Sequence, residues 1–153
     1  MNAYCEEVNL EDKTTDEKTD NLSKICIMHS RYASRKGTMR DNQANPVFDA
    51  KSRVAVFHNG FVTNFKDLTS ELFPHKSKSK QTQTDSELIA LMLGKSLDEG
   101  LDLRTAIINL VQNKLIGTWR MAIISTEDPS TLYVTKNVGP CFVGKSKDAI
   151  VIC

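Results

Sequence analysis

The stretch Arg53–Gly60, Arg-Val-Ala-Val-Phe-His-Asn-Gly, constrains this chain more than any other. A strand-forming run leads straight into His58-Asn59-Gly60, which reads as a buried strand that stops at Asn-Gly. Gly lets the backbone come close to a ligand, and Asn carries an amide donor on a short arm. A backbone N–H beside a side-chain amide makes the parts of an oxyanion hole. An ordinary turn is the alternative, because Asn-Gly is a common turn dipeptide.

The 153 residues suggest one domain with room for a core. Net charge is +1, so no global field draws nucleic acid or a membrane surface. Cys5, Cys26, Cys141 and Cys153 form no Cys-x-x-Cys pair and no zinc spacing, so neither metal nor cofactor is expected. Cys26 and Cys141 lie in apolar runs and read as buried free thiols, which fits a reducing compartment. No apolar run approaches the roughly 20 residues that span a bilayer. Met1–Asp20 has no hydrophobic signal core, so the reading is cytoplasmic.

Residues 1–22 hold seven acidic side chains and two lysines, leaving 18 basic against 12 acidic residues beyond them. This segment reads as a disordered acidic arm, and residues 23–153 as the folded domain. Lys24–Ser30 reads as a short strand, and residues 35–52 as loop, before the strand that begins at Arg53. Phe65, Leu68, Leu72 and Phe73 mark a helix over 64–73, capped by Thr63 or Asn64 and ended by Pro74. His75–Lys80 is a basic loop, read as solvated in preference to a phosphate patch. Thr84-Asp85-Ser86-Glu87 has the form of a capping box opening a helix to about Leu97, with Leu88, Leu91, Met92 and Lys95 on one face. Asp102 caps a third helix, with Leu103, Ala106, Ile107, Leu110 and Val111 in register. Strands then follow at 119–125, 131–136, 141–144 and 148–153, with a turn at 127–130. Grouped helices and hairpin-rich strands indicate α+β layers.

Three stretches in order resemble class II glutamine amidotransferases. His29-Ser-Arg-Tyr-Ala33 is similar to their His-Thr-Arg-Trp/Tyr-Ala motif. Val56-Phe-His-Asn-Gly60 with Asn64-Phe-Lys-Asp-Leu68 is similar to their His-Asn-Gly motif and the helix after it. Thr84-Asp-Ser-Glu87 is similar to Thr-Asp-Thr-Glu. Leu115-x-Gly117, Pro129-x-Thr131-Leu132 and Gly139-Pro140 fit the later strands. The subgroup most resembled is the glutaminase domain of glucosamine-6-phosphate synthase, over about Ile25–Cys153. The resemblance implies an N-terminal-nucleophile hydrolase fold, an αββα sandwich of two antiparallel sheets, here expected to be shortened at both ends. It implies a reaction that hydrolyses glutamine and passes ammonia to a synthase domain.

Glutamine presents a carboxylate, an ammonium and a neutral amide. Arg31 can hold the carboxylate bidentately, and Asp85, on the first turn of a helix, can pair with the ammonium. A carboxylate at a helix N-terminus also stabilises the helix dipole with no ligand present. Asn59 and the Gly60 N–H can receive the developing oxyanion. The resemblance implies the same four assignments. His29 and His58 read as structural.

The family nucleophile is a Cys at the mature N-terminus, whose own α-amine serves as base. This chain begins Met-Asn-Ala-Tyr-Cys. Cys5 is followed by Glu6 and Glu7, and neighbouring carboxylates raise a thiol pKa. Asn45 stands where the family's Asn-Ala-His-Pro loop has His. The expectation is a glutamine amidotransferase domain that is degenerate and inactive alone, a pseudoenzyme, from a short homologue or a partial product. An inactive structural or regulatory subunit using the fold only is the alternative. L-Glutamine is the expected ligand, and a protein partner or self-association is expected at an uncovered sheet edge.

Overall fold

The computed structural model describes the backbone of residues 4–9, and residues 25–29, 45–74, 82, 84–147 and 149–153 in full. The strands are β1 (Tyr4–Asn9), β2 (Val47–Phe48), β3 (Val54–Val62), β4 (Gly117–Ser125), β5 (Asp128–Lys136), β6 (Val143–Lys145) and β7 (Ile150–Ile152). The helices are α1 (Phe65–Leu72), α2 (Asp85–Asp98) and α3 (Leu103–Asn109), and α3 continues as a π turn over Leu110–Lys114. Five strands form one antiparallel sheet in the order β1-β5-β4-β3-β2, and β6 pairs with β7 in a second. This is the α+β, two-sheet arrangement expected from the sequence.

β3 lies between the central strand β4 and the short edge strand β2. Its even positions Val54, Val56 and Val62 join Trp119, Met121, Ile123 and Tyr133 in one core with Leu88, Ile89, Leu93, Leu103, Ile107 and Leu110. The helices therefore cover the even face of β3. Ala55 and Phe57 are buried on the other face, whereas Asn59 and Phe61 are exposed.

Local capping follows the sequence. Thr84 Oγ1 accepts from the Glu87 N–H at 3.1 Å, satisfying a free donor of α2. Asp102 does the same for Thr105 at 2.8 Å at the start of α3. Asn64 precedes α1 but makes no cap bond. Its amide instead donates to the Lys114 carbonyl at 2.8 Å and accepts from the Ile116 N–H at 3.0 Å. A backbone group left open by the π turn thus outcompetes the helix for Asn64.

The structure corrects several expectations. Tyr4–Asn9 is an edge strand on β5, so the disordered arm over 1–22 does not hold there; residues 10–22 lie outside the described residues. Residues 25–29 form no strand. β3 does not stop at Asn59-Gly60 but runs on to Val62, paired with β4 throughout. α2 buries Leu88, Ile89, Ala90, Leu93, Gly94 and Leu97, while Lys95 is exposed. The helix is apolar over more than one face, which blurs a reading by period alone. The turn before β5 is Thr126-Glu127, and Pro129 already lies in the strand. Cys26 is exposed and Cys141 half-buried, so an apolar neighbourhood in sequence did not mean burial.

Candidate functional site

The site grows from the free edge of β3. β2 pairs only with Ala55 and Val56, so the edge beyond them has no strand beside it among the described residues. In an antiparallel ladder the N–H and C=O of one residue point to the same side, and successive residues alternate. Four bonds fix which residues face this edge. The Asp49 N–H donates to the Val54 carbonyl at 3.1 Å, and the Val54 N–H to Asp49 Oδ1 at 2.9 Å. Asn45 Nδ2 donates to the His58 carbonyl at 3.2 Å, and the Val62 N–H to Asp85 Oδ2 at 3.3 Å. All are even residues, so the Gly60 N–H points to the same open edge, between the Asn45 and Asp85 contacts.

Gly60 is required here. Its φ is +155°, and a Cβ would lie 2.0 Å from the Thr118 carbonyl oxygen. Gly60 is opposite Trp119, and Asn59 is opposite Arg120. The Asn59 side chain is exposed on the face away from the helices and engages no described residue. A main-chain donor at the sheet edge and an exposed side-chain amide on the sheet face therefore come from adjacent residues. They do so within a continuous strand instead of at the turn expected from Asn-Gly.

Asp85 closes one end of this edge. Besides the Val62 N–H, it accepts from its neighbour Ser86 N–H at 3.0 Å through Oδ1. Its side chain is 23% exposed. A carboxylate offers about four lone-pair sites, so two bonds leave acceptor capacity toward solvent. His58 supports it from beneath: Nδ1 is 3.1 Å from Ser86 Oγ and 3.8 Å from Asp85 Oδ1. Burial pushes the His58 pKa below the ordinary imidazole value, against the opposing pull of the Asp85 charge. Among the described residues its Nε2 makes no hydrogen bond of good geometry, with the Thr118 carbonyl the backbone acceptor beside the ring.

Of the four expected ligand-facing residues, Gly60 and Asp85 meet at one strand edge, while the Asn59 side chain projects from the neighbouring sheet face. Arg31 lies outside the described residues. Cys5 is carried by β1, three strands from β3, about 14 Å away at the usual strand spacing. The contact of His58 with Ser86 and Asp85 escaped the sequence reading. A signal was present: His58 shares the parity of the buried Val54 and Val56, and a buried imidazole needs a partner. Among the described residues no group of three or more His, Cys, Asp or Glu could hold a metal ion. Among them no helix is long and apolar enough to cross a membrane.

Comparison with known proteins gives this geometry a lineage. A family model described as "Glutamine amidotransferase domain" matches residues 29–153. The glutamine–fructose-6-phosphate aminotransferase (isomerizing) of Methanococcus maripaludis is 31% identical over 132 residues, covering 84% of this chain and 22% of that protein. The enzyme of the same name from Rhizobium meliloti is 34% identical over 137 residues, covering 90% of this chain and 21% of its own. The chain thus spans about a fifth of the length of these curated relatives. Among solved structures, the glutamine phosphoribosylpyrophosphate amidotransferase of B. subtilis matches with a TM-score of 0.50 at 20% identity, covering 70% of this chain and 26% of that one. That likeness carries the fold alone. The ordered motifs, the family match and the identity to these relatives agree: the chain belongs to the class II glutamine amidotransferase domain family.

Proposed function

We propose that this chain is a glutamine-binding amidotransferase domain that does not hydrolyse glutamine on its own. The observation that carries the reading is the free edge of β3, where the Gly60 N–H and the part-exposed Asp85 carboxylate face the same side. Such an edge suits an L-amino acid with an ammonium at one end and a polarised amide at the other. Asp85 takes the ammonium, and the Gly60 N–H with the Asn59 amide takes the carbonyl oxygen. Arg31 takes the carboxylate, on the strength of the motif it shares with the family.

The nucleophile is where the reading departs from the working family. Cys5 belongs to a strand three positions away in the sheet, and Glu6 and Glu7 follow it. Loss of a nucleophile removes most of an enzyme's rate, leaving binding and oxyanion effects. The free thiols of Cys26, Cys141 and Cys153 support a reducing, cytoplasmic setting.

A second reading, a subunit that uses the fold only, is favoured by exposed apolar surface. Phe61, Ile116, Phe142 and Val151 are each more than 60% exposed. Exposed apolar side chains of this size are candidates for partner contacts where they cluster. Calorimetric titration with L-glutamine, with D-glutamine as control, decides between the two. Selective L-glutamine binding without glutamate release is the expected result. Absence of binding would leave the fold without its chemistry and move attention to self-association at the open edge.

A further inference from the structure

We propose that His58 is the positioning residue of this site: it holds the first turn of α2 on β3 and keeps the Asp85 carboxylate free for the ammonium of an amino-acid ligand. The ligand rests on the glutamine reading above; the residue rests on geometry. His58 sits on the helix-covered face of β3, in line with Val56 and Val62, and its side chain is 1% exposed. An apolar side chain would fill that position without penalty. An imidazole there forfeits hydration, so packing alone does not account for it. Its Nδ1 meets the Ser86 hydroxyl at 3.1 Å, in the residue next to Asp85. Two bonds therefore tie α2 to β3 at this point: this one and the Val62 N–H on Asp85.

The ring must be neutral to do this work. The titratable groups facing it are Asp85 from α2 and His29 from residues 25–29, while β4 offers the Thr118 carbonyl and Met121. A protonated ring would place a cation 3.8 Å from Asp85 Oδ1, where it would compete with a ligand ammonium for the same charge. Ring proton and ligand ammonium then oppose each other, and the opposition is reciprocal.

The test has two arms. L-Glutamine affinity is measured by calorimetry from about pH 8 down to pH 5, across the range where imidazoles titrate. In the wild-type chain affinity falls as the ring gains its proton, by at most about tenfold per pH unit for one linked proton. His58→Gln binds with a flat profile over the same range, and His29→Gln keeps the wild-type slope. A His58→Gln chain that is folded by circular dichroism yet keeps the wild-type slope overturns the proposal. The second arm follows the His58 ring by NMR in wild type and in Asp85→Asn. Removing the carboxylate moves the ring titration to lower pH, and saturating L-glutamine moves it the same way. A titration indifferent to Asp85→Asn overturns the proposal, whether or not any variant binds glutamine. Failure of the wild type to bind L-glutamine at every pH sinks the glutamine reading instead, and the NMR arm still decides the role of His58.

Discussion

Asp49 and Asp85 stand at opposite ends of the same edge of β3, and each accepts a backbone N–H from it. Their surroundings differ. Asp49 is 4% exposed and takes the N–H groups of Arg53 at 2.5 Å and Val54 at 2.9 Å, with the Arg53 guanidinium at 3.1 Å. Arg53 also reaches the Gly94 carbonyl at 2.9 Å and Asp98 at 2.9 Å, so one carboxylate anchors the β2–β3 turn to α2. Even a Cβ on Gly94 would lie 2.6 Å from Asp49 Cβ. Asp85 has two backbone donors and open acceptor positions. A carboxylate saturated by the protein is structure; one left partly unsatisfied at an open edge is available to a ligand.

The sharpest way to break this comparison is to remove each carboxylate in turn. Asp49→Ala strands the Val54 and Arg53 N–H groups, and each buried donor left unpaired costs about 1–3 kcal/mol. Chemical denaturation should show that loss, with glutamine affinity of the surviving folded fraction unchanged. Asp85→Ala strands a single such donor, the Val62 N–H, and removes a charge at a helix N-terminus, so it should cost about 1–3 kcal/mol, less than Asp49→Ala, and should abolish glutamine binding. Equal destabilisation by both would end the distinction. pH gives the same contrast. Burial raises the Asp49 pKa, but the Val54, Arg53 and Lys51 N–H groups and the Arg53 guanidinium outweigh it and hold the pKa below the usual carboxylate value. A lowered pKa contributes stability that is present above about pH 4 and lost as pH falls through the folded value. Asp49→Asn should therefore flatten the acid limb of the stability curve.

Gly60→Ala sharpens the comparison at the middle of the edge. A Cβ there meets the Thr118 carbonyl at 2.0 Å, from a backbone that L side chains rarely adopt. Such strain costs about 1–3 kcal/mol. The strand can relieve it only by moving away from β4, which displaces the Gly60 N–H and the Asn59 amide together. Both stability and L-glutamine affinity should fall. A variant that loses stability but binds normally would remove the Gly60 N–H from the site.

What the sequence made legible follows from how local each signal is. Thr84 and Asp102 were readable as caps because a cap needs only residues within one turn, and both make the expected bond. Asn59, Gly60 and Asp85 were singled out by motif, but what brings Gly60 and Asp85 to one edge is pairing between residues far apart in the chain. The extent of β3 was misread because Asn-Gly is a turn signal only when the chain reverses there; pairing with β4 overrides it. β1 was missed because acidic residues depress the strand signal, whereas an edge strand tolerates and even uses charge. His58 read only as structural because its partners, Ser86 and Asp85, lie 27 or more residues away and only the fold brings them under it.

The smallest effect expected tests whether α2 is held by its cap or by its tie to β3. Thr84 Oγ1 accepts the Glu87 N–H at 3.1 Å, and losing such a bond to alanine typically costs about 1 kcal/mol. Thr84→Ala should thus destabilise the chain modestly in thermal or denaturant melts. Its effect on L-glutamine affinity is the informative reading. Asp85 is fixed by the Val62 N–H and backed by His58 through Ser86, both independent of Thr84. If these ties hold the first turn of α2, the variant loses stability while binding changes less than about twofold, well under the factor of ten that 1.4 kcal/mol represents. A loss of affinity in proportion to the loss of stability would mean that the cap, and not the strand edge, places the carboxylate.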